Sequence, residues 1–108
     1  MTAPASECGL DNALRVIHGK WKPTIIWVLH PGPLHFGELL RHVPGISEKV
    51  LTDQLRQLEM DGVVLRTIKE GRVRRVLYEL TPSGLSLNDA VHKLSEWGNA
   101  NRAYGHEV

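Results

Sequence analysis

Two groups of side chains suited to contacting an anionic polymer lie close together in the sequence. The first is a polar set that recurs at helical spacing after Pro44-Gly45: Ser47, Lys49, Thr52, Asp53, Arg56 and Gln57. The second lies between Arg66 and Arg75, where five basic residues accompany one acidic residue, and it includes Lys69, Arg72, Arg74 and Arg75. Because the whole chain has a formal net charge of only +1, this concentration predicts one face that binds anions. A solvated charged hairpin is the alternative that composition leaves open.

Cys8 is the single cysteine of the sequence, which excludes an intrachain disulfide. It lies just ahead of the first predicted helix, whose N-terminus would stabilise a thiolate, whereas Glu7 and Asp11 would oppose that effect. An oxidised lone cysteine can form a mixed disulfide, an adduct or a bridge between subunits. Two interpretations stay open: a sensing thiol, or an inert small residue at the edge of a dimer.

The sequence lacks the patterns that metal binding and catalysis require. Its six histidines are scattered, without the spacing of a Cys/His or His-x-x-x-His ligand set. There is also no glycine-rich phosphate loop, no nucleophile elbow and no carboxylate pair in a catalytic pattern. We therefore expect no metal, no cofactor and no enzymatic activity.

Length and composition fit one globular domain. The chain has 108 residues, of which 42% are hydrophobic and 23% charged. Its longest apolar run, Ile25 to Leu29, is too short to span a bilayer, and Met1 to Glu7 lacks the pattern of a signal peptide. We expect a cytoplasmic protein without membrane association, with a flexible leader over residues 1–7 and a single domain over residues 8–108.

The polar set lies on the second of two short helices. Helical spacing predicts a helix from Leu10 to Ile17, another after Pro23, a third over Phe36 to His42 and a fourth that Ser47 caps. The second is apolar nearly all round, so we expect it to be the central core helix, with Trp21 and Trp27 in the core.

In the third and fourth helices we expect a helix-turn-helix. Ile46 would plug the turn between them, and Val50, Leu51, Leu55 and Leu58 would face inward. Recognition helices contact bases chiefly through N-terminal residues, so we expect Ser47, Lys49, Thr52 and Asp53 near the groove floor and Arg56 on a phosphate. Asp53 and Glu48 would either pair with the helix's own cations or read cytosine.

The basic group lies in a predicted hairpin. Val63 to Ile68 and Arg74 to Leu80 are rich in apolar and β-branched residues around Glu70-Gly71, and a further short strand is predicted at Leu34. Thr81-Pro82 then begins a last helix. This order predicts an α+β winged helix-turn-helix, mostly helical, with a two- or three-stranded sheet whose basic tip is the wing.

The terminal helices carry more apolar surface than so small a domain can cover. We expect their stripes to form a homodimer interface composed of Leu10, Leu14, Ile17, Leu87, Val91, Leu94 and Trp97. Two-fold symmetry would place two recognition helices about 34 Å apart and predicts an inverted-repeat operator.

Together these features resemble the HxlR family of bacterial winged-helix regulators over about Cys8 to Gly98. The matching motifs are Gly19-Lys20-Trp21, Phe36-Gly37-Glu38-Leu39, Pro44-Gly45-Ile46-Ser47, Leu51-Thr52, Leu55-Arg56, Leu58-Glu59, Asp61-Gly62, Tyr78, Leu80-Thr81-Pro82, Gly84 and Glu96-Trp97-Gly98. The resemblance implies a homodimer joined through terminal helices and, in some members, a sensing cysteine at the place of Cys8. Val73-Arg74 departs from the paired prolines common in the family's wing, which implies a more flexible and more basic wing here.

The sequence thus predicts a transcriptional regulator that binds double-stranded DNA, with its recognition helix in the major groove and its wing on the backbone or minor groove. Thiol modification of Cys8 would be one means of control. The alternatives are a regulator that binds a small molecule in a pocket at the dimer interface, and a winged-helix module that binds a protein partner. The basic tip argues against the protein-binding module.

Overall fold

The computed structural model describes residues 9–102, so the predicted leader and Cys8 lie outside the described part. Five helices and three strands follow one another in the order α1, α2, β1, α3, α4, β2, β3, α5. Their bounds are α1 Gly9–Ile17, α2 Lys22–Leu29, β1 Leu34–His35, α3 Phe36–His42, α4 Glu48–Met60, β2 Val64–Lys69, β3 Arg75–Leu80 and α5 Pro82–Ala100. This is the predicted α+β winged helix-turn-helix, and its sheet has three strands.

Helix α2 is the centre of the core, as its apolar composition predicts. Ile25, Ile26 and Leu29 are completely or almost completely buried, and Trp21 packs against the core from its edge. The prediction for Trp27 is wrong, since this residue is 47% exposed. The reason is that Ile25, Ile26 and Leu29 already occupy the buried side of this short helix, which leaves Trp27 on the opposite side.

Local capping fixes the helix-turn-helix. The backbone amide of His35 donates to Glu38 Oε1 (2.8 Å) at the start of α3. Ser47 Oγ accepts from the backbone amide of Val50 (3.1 Å) at the start of α4. Ile46 is buried in the turn between the two helices, as predicted, and anchors the start of α4 on the core.

The sheet attaches the hairpin firmly to the helices. Strand β3 lies in the middle, pairing antiparallel with β1 on one side and with β2 along its whole length on the other. Gly62 has a φ of +74°, so a glycine suits the turn from α4 into β2. Thr81 Oγ1 donates to the carbonyl of Gly62 (2.6 Å) and accepts from the amide of Gly84 (3.0 Å), which joins this turn to the start of α5.

The terminal helices keep a large part of their apolar side chains in contact with solvent. Leu10 and Leu14 on α1 are 66% and 47% exposed, and Leu94 and Trp97 on α5 are 57% and 69% exposed. Ile17 and Leu87 instead pack partly against the core, and Val91 is half-buried. Among the described residues, no helix is long and apolar enough to cross a membrane.

Candidate nucleic-acid interface

Helix α4 has a buried side and an exposed polar side. Leu51, Leu55 and Leu58 are at most 1% exposed and fix the helix on the core. Four of the predicted contact residues, Ser47, Lys49, Arg56 and Gln57, are exposed, while Thr52 and Asp53 are half-buried. The helix therefore presents hydroxyl, ammonium, carboxylate and guanidinium groups along one side, the mixture that base edges and phosphates require.

One ion pair lies on this polar side. Lys49 Nζ is 3.1 Å from Asp53 Oδ2, one helical turn away. The side chains of the pair are 85% and 45% exposed, so water screens the pair strongly. The 3.1 Å distance shows that, in the free protein, Asp53 pairs with a cation of its own helix, which is one of the two roles that the sequence left open. Because the pair is weak, both side chains remain available to other partners.

Gln57 lies apart from the other members of the polar set. Its side-chain oxygen accepts a hydrogen bond from Lys22 Nζ (2.5 Å), and Lys22 is a buried residue at the start of α2. Gln57 thus contacts the helical body near the C-terminal end of α4. Helical spacing placed Gln57 on the outer side of α4 but carried no signal for this contact with α2.

The hairpin carries the second predicted group. Lys69, Arg72, Arg74 and Arg75 are all exposed at its tip. Arg74 Nε lies 4.0 Å from Glu70 Oε2, and both of these side chains are largely in solvent. The tip therefore presents several cations that can turn toward an anionic surface.

A cleft of about 340 Å³ joins α4 to the base of the hairpin, and it contains residues that the sequence did not single out as a group: Thr52, Arg56, Glu59, Met60, Arg66 and Tyr78. Arg66 lies opposite Tyr78 across the β2–β3 pairing, and its Nε is 3.5 Å from Glu59 Oε1. Burial raises the pKa of Tyr78, an effect that Arg66 opposes, Glu59 reinforces and Arg56 opposes. A phenol is neutral near pH 7 even at its ordinary pKa, and burial shifts it further in that direction. The Tyr78 hydroxyl can therefore donate a hydrogen bond in a cleft that also holds the guanidinium groups of Arg56 and Arg66.

Comparison with known proteins identifies the family of the chain and the function of that family. The family model described as HxlR-like helix-turn-helix matches residues 16–105. The chain belongs to this family. The family assignment confirms the resemblance inferred from the motifs, and the relatives of this HxlR-like chain carry the names of transcriptional regulators.

Three similar proteins illustrate the match. The uncharacterized HTH-type transcriptional regulator YtcD of Bacillus subtilis (strain 168) is 42% identical over 98 residues, which are 89% of this chain and 78% of that protein. The redox regulator HypR in its reduced form superposes with a TM-score of 0.82 at 38% identity, covering 88% of this chain and 94% of HypR. The reduced form of the transcriptional regulator YodB from B. subtilis gives a TM-score of 0.82 at 28% identity. The match covers 98% of this chain and 100% of YodB.

In this HxlR-like protein the predicted residues fall into three places. The predicted recognition residues lie on α4 and, for Ser47, at its N-cap. The basic residues lie at the hairpin tip, and the α4–hairpin cleft lies between the helix and the hairpin base. The predicted dimer residues lie on α1 and α5, and Cys8 is outside the described range. Over residues 9–102, no group of three or more His, Cys, Asp or Glu side chains is placed to hold a metal ion.

Proposed function

We propose that this transcriptional regulator binds double-stranded DNA as a homodimer at an inverted-repeat operator. The N-terminal half of α4 enters the major groove, where Ser47, Lys49, Thr52 and Asp53 meet base edges. Arg56 contacts a phosphate. The wing cations lie on the backbone or in the adjacent minor groove. Because a transcriptional regulator acts on the chromosome, we propose that this protein is located in the cytoplasm. We propose no enzymatic activity for it.

The observation that carries this proposal is the junction of α4 with the hairpin. A polar helix face alone is common on protein surfaces, and a basic hairpin alone is too. Here Thr52 and Arg56 from α4 share one cleft with Arg66 and Tyr78 from the hairpin. Two guanidinium groups and a neutral phenol at this point suit a phosphate lying between major-groove and wing contacts.

The experiment that tests the proposal is a selection of bound sequences from random double-stranded DNA with the purified protein. An inverted repeat whose half-sites are about one helical turn apart is the expected result. Binding of the selected site should fall steeply with added salt, because each neutralised phosphate releases counterions. Failure to enrich any sequence, together with affinity that does not depend on salt, would contradict DNA binding as the function.

We further propose that modification of the Cys8 thiol controls DNA binding. Support comes from two relatives: HypR is named a redox regulator, and YodB is known in a reduced and a diamide-treated form. Since Cys8 is the only cysteine of this chain, a disulfide would have to join it to a second molecule.

The test of this control is to treat the wild type and Cys8→Ser with diamide and to measure operator affinity before and after treatment. We expect the wild type to lose affinity and Cys8→Ser to keep it. Equal behaviour of the two proteins would reject thiol control and leave the proposal of DNA binding untouched.

A further inference from the structure

Lys22 is a buried cation that the proposed DNA contacts do not use. It lies at the start of α2 and is only 3% exposed. Its Nζ donates to the neutral side-chain oxygen of Gln57 (2.5 Å), and within residues 9–102 no carboxylate lies at ion-pair distance from it. Burying a charge is costly unless an opposite charge or several hydrogen bonds compensate for it. One amide oxygen leaves most of the ammonium's bonding capacity unused.

The ammonium lies at a cleft that carries further basic groups. This Lys22 cleft has a volume of about 310 Å³ and is lined by Arg15, His18, Lys22, Gln57, Met60 and Asp61. Arg15 Nη1 is 3.4 Å from Asp61 Oδ1, with 63% of the Arg15 side chain exposed. Without counting His18, the charged groups of the cleft are the cations Arg15 and Lys22 and the carboxylate of Asp61, which leaves an excess of one positive charge.

We infer that the Lys22 cleft is a binding site for a small organic monocarboxylate. One negative charge would balance the excess. A carboxylate can accept from the buried Lys22 ammonium and from Arg15, whose Nη1 and Nη2 now contact Asp61 (3.4 Å) and Asn12 (3.1 Å). Because these two contacts are exposed to solvent, they are weak and a bound carboxylate can replace them. The volume is at the lower end of the range for small-molecule sites, and the Met60 side chain offers an apolar contact for a short carbon tail.

Gln57 gives the site a route to the recognition helix. It lies in the last turn of α4 and holds that turn to α2 through Lys22. A bound carboxylate takes a second N–H of the same ammonium and draws the ammonium toward Arg15, so occupancy changes the Lys22–Gln57 contact that positions the end of α4. This coupling to operator affinity rests on the proposed function, whereas binding of the carboxylate itself does not.

The first test measures binding without DNA. The full chain is heated in sodium butyrate or sodium benzoate, against sodium chloride and sodium phosphate at the same ionic strength. We expect the carboxylates to raise Tm in a saturable manner, since a ligand that binds the folded state stabilises it by mass action. Isothermal titration should give one site per chain. No shift beyond that in chloride would overturn the site, and a response to phosphate alone would overturn the ligand class.

Variants separate the site from a general effect of anions. Arg15→Gln changes a largely exposed side chain, so it should fold and bind the carboxylate about tenfold more weakly through the loss of one charged contact. Lys22→Met should abolish the response. Lys20→Met removes an exposed lysine two residues away and serves as the matched control, with a wild-type response expected. An unchanged response in Arg15→Gln would contradict the assignment even if Lys22→Met fails to fold.

The second test measures coupling by titrating a labelled operator with the protein at constant ionic strength, with and without saturating carboxylate. We expect a several-fold change in operator affinity for the wild type, and for Arg15→Gln the same change only at a carboxylate concentration about tenfold higher. A carboxylate that binds without changing operator affinity would overturn the coupling alone. A chain that binds no DNA at all would contradict the proposed function, while the melting and titration results would still decide the site.

Discussion

At the scale of single residues, the polar side of α4 holds side chains that can change partners at little cost. Lys49 and Asp53 pair in solvent, and exposed pairs of this kind contribute about 0–1 kcal/mol. A base edge or phosphate can therefore replace either partner. The neutral hydroxyl of Tyr78 lies deeper, at the hairpin base, where burial raises its pKa. Residues near the N-terminus of α4 are thus suited to reading sequence, and those around Tyr78 to holding the backbone.

Lys49→Ala should relax sequence preference, and Arg74→Ala should not. Loss of a contact to a base edge costs about 1–3 kcal/mol at that position of the site, whereas loss of a phosphate contact weakens all sequences about equally. The measurement is the affinity of each variant for the selected operator and for a set of single-base substitutions. If Lys49→Ala weakened every sequence to the same extent, Lys49 would be a backbone contact.

Gly84→Ala should destabilise the fold strongly. A Cβ at this position would lie 2.2 Å from the backbone carbonyl oxygen of Val63 and 3.2 Å from Leu80 side-chain atoms. Because a backbone oxygen cannot move away easily, we expect a loss of about 1–3 kcal/mol. Gly98→Ala is the matched control in the same helix, with no atom within 4 Å of the added carbon. It should be neutral or stabilise by up to about 1 kcal/mol in urea unfolding.

At the scale of elements, what the sequence predicted well has local causes. The cap at Ser47, the Gly62 turn and the Thr81-Pro82 start of α5 depend on neighbouring residues, and the structure has all of them. What the sequence did not predict depends on packing between elements. The exposure of Trp27 follows from which side of α2 the core occupies. The Lys22–Gln57 contact joins residues that are 35 positions apart, which periodicity cannot detect.

The wing should account for a definite part of the salt dependence of DNA binding. Replacing Arg72, Arg74 and Arg75 together by alanine removes three exposed cations from the hairpin tip. If each contacts a phosphate, the slope of log affinity against log salt should become less steep by about 2.7. Folding should be unaffected, because exposed side chains far from the core contribute little to stability. An unchanged slope with a normal melting curve would mean that the wing lies off the DNA.

At the scale of the whole molecule, the exposed apolar side chains of the terminal helices support the proposed homodimer. The radius of gyration is 15.9 Å, whereas a compact domain of 100 residues has one of about 13 Å. The terminal helices account for part of this extension, since α5 has 19 residues and its half after Leu87 contributes no fully buried hydrophobic residue. Leu10, Leu14, Leu94 and Trp97 are large apolar side chains on these helices, and each is 47% to 69% exposed. A symmetric pair would cover them and supply the two-fold axis that an inverted repeat requires.

Leu94→Gln should therefore separate the dimer without unfolding the chain. Leu94 is 57% exposed in one chain, so a polar residue there costs the monomer little. In a two-fold interface the change occurs twice, and burial of each leucine stabilises the dimer by about 1.5–3 kcal/mol. The dissociation constant of the dimer should therefore rise by about a hundredfold or more. Leu65→Gln is the control because Leu65 is 50% exposed on strand β2, outside the predicted dimer residues and outside the residues that line the α4–hairpin cleft. Sedimentation over a range of concentrations measures the shift from dimer to monomer. In operator titrations, Leu94→Gln alone should change the binding curve from a steep one to a shallow one that is typical of half-site binding. If Leu94→Gln remained dimeric at the concentrations where the wild type is dimeric, the subunits would have to meet through a face other than α5, and the expected spacing of half-sites would lose its physical basis.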